Sequence, residues 1–220
     1  MILSAKNIVK SFGELPILKG VDFHVEEKSI VSIVGSSGAG KTTLLQILGT
    51  LEKPDKGELL IAGEQPFCLS EKKLAQFRNQ KLGFIFQFHQ LLPEFTATEN
   101  VMLPALIGGL DKTTARKKAE TVLNRLGLSE RFTHKPSQLS GGEQQRVAVC
   151  RALINEPKII FADEPSGNLD TKNAKELHDL FFQLRDELGH TFVIVTHNDE
   201  LANMADVLWT MKDGVIQSKM

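Results

Sequence analysis

The chain has 220 residues, enough for one sizeable hydrophobic core with a subdomain inserted into it. Its 26 lysine and arginine residues nearly balance 27 aspartate and glutamate residues, so net charge recruits neither nucleic acid nor an anionic membrane, and no nucleic acid partner is expected. The N-terminus carries no export signal, and the longest strongly apolar stretch, residues 101–110, is too short to cross a bilayer, so we expect a cytoplasmic protein.

Short apolar strands separated by turns are predicted at the start of the chain, over residues 2–9, 18–25, 29–34 and 57–61. Only the third of these leads through a glycine-rich loop into a helix, which is predicted over residues 43–51. The other three favour a small antiparallel sheet beside it. A further strand is predicted over residues 82–86.

The loop after the third strand has the G-x-x-x-x-G-K-[ST] spacing of a P-loop. It consists of Gly35, Ser36, Ser37, Gly38, Ala39, Gly40, Lys41 and Thr42, with Thr43 next. Its glycines let backbone N–H groups turn toward phosphate oxygens, and the dipole of the following helix adds attraction. A simple helix-capping turn is the alternative, but Lys41 then opposes the helix dipole at a cost of about 0.3–1 kcal/mol. The loop therefore predicts a nucleoside triphosphate site.

Helical patterning follows from about residue 88 to residue 155. Apolar residues recur at spacings of three and four between Asp111 and Gly127, which predicts one amphipathic helix there. The two cysteines, Cys68 and Cys150, match no metal or redox spacing. We expect both to be small buried hydrophobic residues.

A second helix in this block is predicted to begin at Ser140. Ser140 and Glu143 have the S-x-x-E spacing of a capping box, which is a sufficient structural explanation by itself. Gly141 and Gly142 nevertheless weaken a first helical turn unless something requires the bare backbone. The N-terminus of this helix is therefore a second candidate phosphate-binding element.

Strand and helix alternate again in the last third of the chain, with strands over residues 158–162 and 191–195, a helix over residues 172–188 and a hairpin around residues 212–214. This alternation predicts a parallel sheet covered by helices, into which the helical block is inserted. Two adjacent carboxylates, Asp163 and Glu164, end the first of these strands. A solvated strand end is one interpretation. The other is that Asp163 holds Mg²⁺ while Glu164 orients and deprotonates an attacking water.

One P-loop, a separate second phosphate element and the Asp163-Glu164 pair together resemble the ATP-binding cassette (ABC) family over essentially the whole chain. The resemblance implies an α/β fold with the parallel sheet core of a RecA-like P-loop NTPase, an antiparallel β subdomain and an inserted α-helical subdomain. It implies a single domain, residues 1–220, with the core in residues 1–87 and 156–220 and the helical subdomain in residues 88–155.

The family pattern also implies an ATPase that uses ATP and Mg²⁺ and forms a homodimer on ATP binding. The signature of one subunit, with Ser140, Gly141, Gly142 and Glu143, then closes over the ATP that the P-loop of the other holds. Glu143 is a departure, because glutamine is commonest there.

Further positions match the family's site residues. Gln87 corresponds to the glutamine that senses Mg²⁺ and the attacking water, so the implied metal set is Thr42, Gln87 and Asp163. His197 corresponds to the switch histidine on the terminal phosphate, which completes the implied catalytic set with Glu164 and Gln87. The alternatives are a solvated glutamine and an ordinary histidine at a strand end.

Three more positions fit the family, and two of them have an alternative interpretation. Asn168 and Asp170 fall in the D-loop that crosses the dimer interface, although Asp170 could simply cap the next helix. Phe12 stands where a tyrosine often stacks on adenine, with a core phenylalanine as the competing interpretation.

Because no segment can span a membrane, a transporter requires separate subunits, and we expect two transmembrane permease chains. Residues 86–96 and 163–170 resemble the branch of the family that contains lipoprotein-releasing, macrolide-exporting and cell-division ATPases. That resemblance implies a peripheral protein on the cytoplasmic face of the bacterial inner membrane that powers lipoprotein release. A non-transporting cell-division complex and a macrolide or peptide exporter are the alternatives.

Overall fold

A computed structural model of the protein describes residues 1–219. The strands are β1 (Leu3–Phe12), β2 (Leu15–Val25), β3 (Ile30–Val34), β4 (Lys56–Ile61), β5 (Leu82–Phe86), β6 (Ile159–Asp163), β7 (Phe192–Val195), β8 (Val207–Lys212) and β9 (Val215–Lys219). The α-helices are α1 (Lys41–Leu48), α2 (Glu71–Lys81), α3 (Ala97–Ile107), α4 (Lys112–Arg125), α5 (Gly141–Leu153), α6 (Thr171–Leu188) and α7 (Asp199–Met204).

Two sheets organise the molecule. The larger has the strand order β5-β6-β7-β3-β8-β9, and its strands pair in parallel except for the antiparallel β8–β9 hairpin. The smaller is antiparallel, with the order β2-β1-β4. Because β6 and β7 consist almost entirely of buried apolar residues, they suit the centre of a sheet covered on both faces. The carboxyl ends of β3, β6 and β7 therefore lie at one edge, where polar groups can gather.

The predicted alternation of elements is present, with three differences, of which one is α7, a short helix that was not predicted. Helix α2 was not predicted, because Phe77 is its one buried residue and its sequence carries almost no apolar periodicity. Residues 87–96 form a loop instead of the start of a helical block, and the helices α3, α4 and α5 lie beyond it. The subdomain boundaries at residues 87/88 and 155/156 stay a prediction.

The cysteine prediction is right for one residue and wrong for the other. Cys150 lies on α5 and is fully buried in the core against α4, where desolvation strongly raises the pKa of its thiol. Cys68 is exposed at the end of a short 3-10 helix, Pro66–Cys68. Short surface turns have no periodicity from which this exposure could be predicted. Within residues 1–219, no helix is long and apolar enough to span a bilayer.

A fully buried amide fixes the loop that precedes α3. The side chain of Asn100 accepts a hydrogen bond from Leu92 N at 2.8 Å and donates to the carbonyls of Leu92, Phe95 and Thr96 at 3.0–3.1 Å. Thr96 and Glu99 add a capping box at the start of the same helix. Residues 92–96 therefore have a defined course although they form no regular element.

We predict that Asn100→Ala lowers the free energy of unfolding by about 3 kcal/mol, because several buried backbone groups lose a hydrogen-bond partner. Urea denaturation checks this. The matched control is Asn124→Ala on the exposed side of α4, for which we expect a change within about 0.5 kcal/mol. Equal effects of the two substitutions would contradict the proposed stabilising role of the Asn100 hydrogen bonds.

Candidate functional site

The loop between β3 and α1 has the backbone that a phosphate cradle requires. Gly35 has φ +153°, and a Cβ there would lie 2.1 Å from the carbonyl oxygen of Met211. Gly38 has φ +78° and open space where its Cβ would be. The N-cap of α1 is Gly40, which provides no side-chain cap, so the first N–H groups of the helix are available to a ligand.

The other loop residues divide between the core and the surface. Ala39 is packed in the core beside β8, whereas Ser36, Ser37 and Thr42 are exposed and Thr43 is half-buried. The exposed residues and Gly38 all lie within five positions of the start of α1 in the chain. An anion approaching α1 therefore meets backbone and hydroxyl groups.

Lys41 lies inside this loop with its ammonium group against backbone carbonyls. Its Nζ donates to Gly35 O at 2.8 Å and to Ser36 O at 3.0 Å, and the side chain is almost fully buried. Burial lowers the pKa of Lys41, because desolvation disfavours the charged form. A phosphate oxygen would stabilise this cation better than two neutral carbonyls do.

A carboxylate faces the loop from the end of β6. Asp163 Oδ1 lies 3.4 Å from Thr42 Oγ1, and burial raises the pKa of Asp163. Among residues 1–219, no cluster of three histidine, cysteine or acidic side chains could hold a metal by itself. The oxygens of Thr42 and Asp163 do suit Mg²⁺, which commonly binds one or two protein oxygens together with substrate phosphates.

Glu164 and His197 are in direct contact. Glu164 Oε2 accepts a hydrogen bond from His197 N at 3.0 Å, and Glu164 Oε1 lies 3.2 Å from His197 Nε2. Glu164 has φ +46°, which is uncommon for a residue with a side chain and costs of order 1–3 kcal/mol. Its N–H donates to Val195 O at 2.9 Å, so β7 holds it in this conformation. Strain of this kind concentrates at functional sites.

Gln87 and Asn168 join two loops at the same edge of the sheet. Gln87 Nε2 donates to Asn168 Oδ1 at 3.3 Å, and Asn168 Nδ2 donates to Gln87 O at 3.1 Å. The Gln87 amide nitrogen is thus turned toward the loop after β6. Asp170 caps α6 by accepting from Asn173 N at 2.9 Å, so the capping interpretation of Asp170 is confirmed. Its role at a dimer interface stays a prediction.

The start of α5 shows how its two glycines differ. Ser140 and Glu143 form the predicted capping box. A Cβ on Gly142 would lie 2.3 Å from Asn173 Oδ1, so packing against α6 requires this glycine. Gly141 is exposed, and a Cβ there would have its nearest neighbour at 3.9 Å. Packing within the chain does not explain Gly141.

The Glu143 carboxylate is engaged within its own chain. It accepts hydrogen bonds from Ser140 N at 2.8 Å and from Arg131 Nε at 2.7 Å. The bond from the Ser140 backbone, followed by the Arg131 guanidinium, lowers the pKa of Glu143. The extra negative charge relative to glutamine is therefore neutralised by Arg131.

Phe12 is 52% exposed, which excludes the competing interpretation as a core residue. The Lys10 ammonium lies 5.2 Å from the centre of its ring, a cation–π contact that leaves ring surface open. An exposed aromatic ring of this kind can stack on a nucleobase.

Sequence reasoning assigned nothing to His89 and Gln145. Gln145 is fully buried and touches both the loop after β5 and the loop after β6. The available signal is its place in α5, because residues 142, 148 and 149 at helical spacing from it are all buried. A glutamine on the buried face of a helix must find hydrogen-bond partners.

Residues 18–167 match the protein-family model described as ABC transporter. This chain belongs to the ABC transporter family. Curated members of the family are similar to it over nearly their whole length. The lipoprotein-releasing system ATP-binding protein LolD of Cytophaga hutchinsonii is 60% identical over 98% of both chains. LolD of Porphyromonas gingivalis is 59% identical over 100% of both chains.

Solved ABC cassettes have the same fold. The dimeric structure of the bacterial ABC transporter cassette MJ0796 has a TM-score of 0.90 and 40% identity, and covers 100% of this chain and 98% of that one. A dimeric post-hydrolysis state of the same cassette, bound to ADP and Pi, has a TM-score of 0.89, with the same identity and coverage. The predicted fold class and the predicted ABC ATPase are both confirmed.

We predict that Lys41→Met raises the dissociation constant for ATP by about 100-fold, because charge-assisted hydrogen bonds to phosphate are lost. Methionine keeps the aliphatic volume, so the loop should stay packed. Isothermal titration calorimetry checks this, with Lys56→Met on exposed strand β4 as the charge-matched control. An unchanged ATP affinity of the Lys41→Met variant would contradict the prediction that Lys41 binds phosphate.

Proposed function

We propose that this protein is the ATP-hydrolysing subunit of an ABC transporter complex that releases lipoproteins from the bacterial inner membrane. The observation that carries the proposal is the convergence of Lys41, Thr42, Asp163, Glu164 and His197 at one edge of the sheet. The cargo is proposed from the similarity to LolD proteins over essentially the full chain.

The geometry supports a defined role for each group in ATP hydrolysis. Lys41 and the N–H groups of the loop hold the phosphates, and the exposed ring of Phe12 stacks on adenine. When bound at Thr42 and Asp163, Mg²⁺ would neutralise charge on the phosphate oxygens. Glu164 orients a water and accepts its proton as the water oxygen attacks the terminal phosphorus. The bond from phosphorus to the β-phosphate oxygen breaks, which releases ADP and phosphate.

His197 and Gln87 complete the proposed catalytic set. The backbone N–H of His197 fixes one oxygen of Glu164 and its ring contacts the other, so this residue holds the base in place. Its exposed imidazole can also reach the terminal phosphate. Gln87 stands beside Asn168 at the entrance to the site, where its amide can contact the metal and the attacking water.

A homodimer completes the site in this proposal. Gly141 is exposed at the N-terminus of α5 and is not explained by packing within the chain, which fits a backbone kept bare for a ligand on another subunit. Ser140, Gly142 and Glu143 shape that helix start through the capping box and the contact with α6. Asn168 and Asp170 lie on the loop that we place at the dimer interface.

We place the two permease subunits at a groove between the β5 edge and the helices. A cavity of about 340 Å³ is lined by α2 and β5 on one side and by α3 and α5 on the other. Ile107, which lines this cavity, is 77% exposed, and Phe88, which lies in the chain between the lining residues Phe86 and Gln90, is 70% exposed. Exposed apolar surface of this kind marks an interaction site. The protein would thereby be peripheral on the cytoplasmic face of the inner membrane.

Two other functions use the same catalytic groups. A cell-division type complex would use ATP-dependent dimerisation to regulate an enzyme, and an exporter of the same branch would move a macrolide or peptide. The similarity to LolD proteins favours lipoprotein release over both. The membrane partner distinguishes the three.

We predict that Glu164→Gln lowers the rate of ATP hydrolysis by about 100-fold or more while ATP still binds, because the amide cannot accept the proton of water. The ATP-bound dimer should then accumulate and be visible by size exclusion with light scattering. Exposed Glu58→Gln on β4 is the control. A Glu164→Gln variant with wild-type turnover would exclude Glu164 as the base.

Affinity purification from bacterial membranes tests the partner and the cargo. We expect mass spectrometry to identify permease chains of the lipoprotein-releasing type together with bound lipoprotein. Ile107→Glu should lose the permease, whereas Leu15→Glu, an equally apolar exposed site on β2, should retain it. Recovery of a cell-division membrane protein would contradict the proposed cargo.

A further inference from the structure

A buried glutamine connects the groove side of the molecule to the loop that carries the proposed catalytic base. Gln145 Nε2 donates to the carbonyl oxygen of Pro165 at 2.7 Å, and Gln145 Oε1 bonds to His89 Nδ1. The Gln145 side chain is fully inaccessible to solvent. The partners lie 56 and 20 positions away in the chain, so α5 joins two segments that are distant in sequence.

The chemistry of Pro165 fixes the direction of these hydrogen bonds. A backbone carbonyl can only accept, so the amide nitrogen of Gln145 must face Pro165. The amide oxygen then faces His89, and Nδ1 of His89 must carry the hydrogen and donate it. Reversing the amide would place two acceptors against each other at Pro165. Gln145 therefore has one productive orientation.

The segment on the groove side is held firmly to α5. Arg151 Nη1 donates to Gln90 O at 2.6 Å, and Arg151 Nη2 donates to His89 O at 2.8 Å. The neighbouring residue, Phe88, projects its ring into solvent. A partner that displaces this segment therefore pulls on α5 through both Arg151 and Gln145.

The segment on the site side is one residue from the proposed base. Pro165 follows Glu164 directly, and its ring fixes its own φ near −65°. Only rotation about ψ can absorb a shift of the Pro165 carbonyl within that residue, and the remainder passes to the neighbouring residues Glu164 and Ser166. Glu164 already sits in a strained conformation, so a small shift of its backbone redirects its carboxylate.

We propose that Gln145 is a positioning residue that transmits displacement of the His89 segment to Glu164 and to the loop after it. This rests on the proposed coupling of the groove to a permease. Gln145 touches neither nucleotide nor reacting atoms. It sets the position of the backbone that carries the base.

Hydrogen exchange on the full chain tests the link without any permease. Gly167 N donates to Glu164 O and Leu169 N donates to Ser166 O, so these two amides report order in the loop. We expect Gln145→Met to raise their exchange rates at least about fivefold, since one buried hydrogen bond is lost. His89→Ala should do the same in smaller measure, since among residues 1–219 the hydrogen bonds of His89 go to α5 and not to this loop.

The matched control for hydrogen exchange is Gln144→Met. Gln144 precedes Gln145 on α5 and donates to Pro136 O and Leu139 O, both at 3.1 Å. Its loss removes the same kind of bond from the same helix without touching either segment. Unchanged exchange at Gly167 and Leu169 in both test variants would overturn the proposal. An equal rise in Gln144→Met would overturn it too, since the effect would then be general loosening.

Steady-state ATPase measurements with the permease in lipid vesicles test the consequence for activity. We expect His89→Ala and Gln145→Met each to lower permease-stimulated kcat at least about fivefold with unchanged KM for ATP. The double variant should be no slower than Gln145→Met, because both changes cut one connection. Fully additive losses, or a rise in KM alone, would contradict the link.

The same measurements separate this inference from the proposed function. A wild-type protein that the permease fails to stimulate would contradict the proposed function, and the exchange experiment would still decide the role of Gln145. Stimulation of wild type with equal stimulation of His89→Ala would leave the proposed function intact and overturn the link.

Discussion

Removing a charge from water costs free energy, and this cost determines where the protein can place the charged groups of its site. The central strands are apolar on both faces, so ionisable groups are confined to the ends of strands. Lys41 is almost fully buried and Asp163 half-buried there, and desolvation lowers the pKa of the first and raises that of the second. A bound anion would stabilise the charged form of Lys41, and a bound cation would stabilise the charged form of Asp163. The sheet edge is thereby adapted to a ligand that carries both, such as a triphosphate with its metal.

Local motifs were the part of the molecule that the sequence made predictable. The strand, loop and helix around Lys41 follow from glycine spacing and apolar runs, and the box at Ser140 and Glu143 follows from short-range spacing. Helix α2 was missed because a mostly polar helix on a surface leaves little periodic signal. The loop over residues 87–96 was missed because side chains from other elements hold it, Asn100 at residues 92–96 and Arg151 at residues 89–90, and such bonds are a tertiary feature.

The site was predictable as a set of residues but not as a set of contacts. Glu164 and His197 were named separately, and only the pairing of β6 with β7 brings them within 3.2 Å. The connection through Gln145 spans three segments, and each looks ordinary by itself. The two adjacent glycines, Gly141 and Gly142, show the same limit of prediction from sequence. They are the same residue type, but only Gly142 is required by packing on Asn173.

Three charged groups of the proposed site already have partners within the chain. Lys41 bonds to the carbonyls of its own loop, Glu164 contacts His197, and Glu143 pairs with Arg131. Binding must therefore exchange one set of contacts for another, and the free energy gained is the difference between them. Such exchange moves the chain as well as the ligand, because each ammonium hydrogen that Lys41 turns from Gly35 or Ser36 toward phosphate releases a carbonyl of the loop. A site that exchanges contacts in this way spends part of its binding free energy on conformational change, and the proposed role as the driving subunit of a transport complex requires such a link.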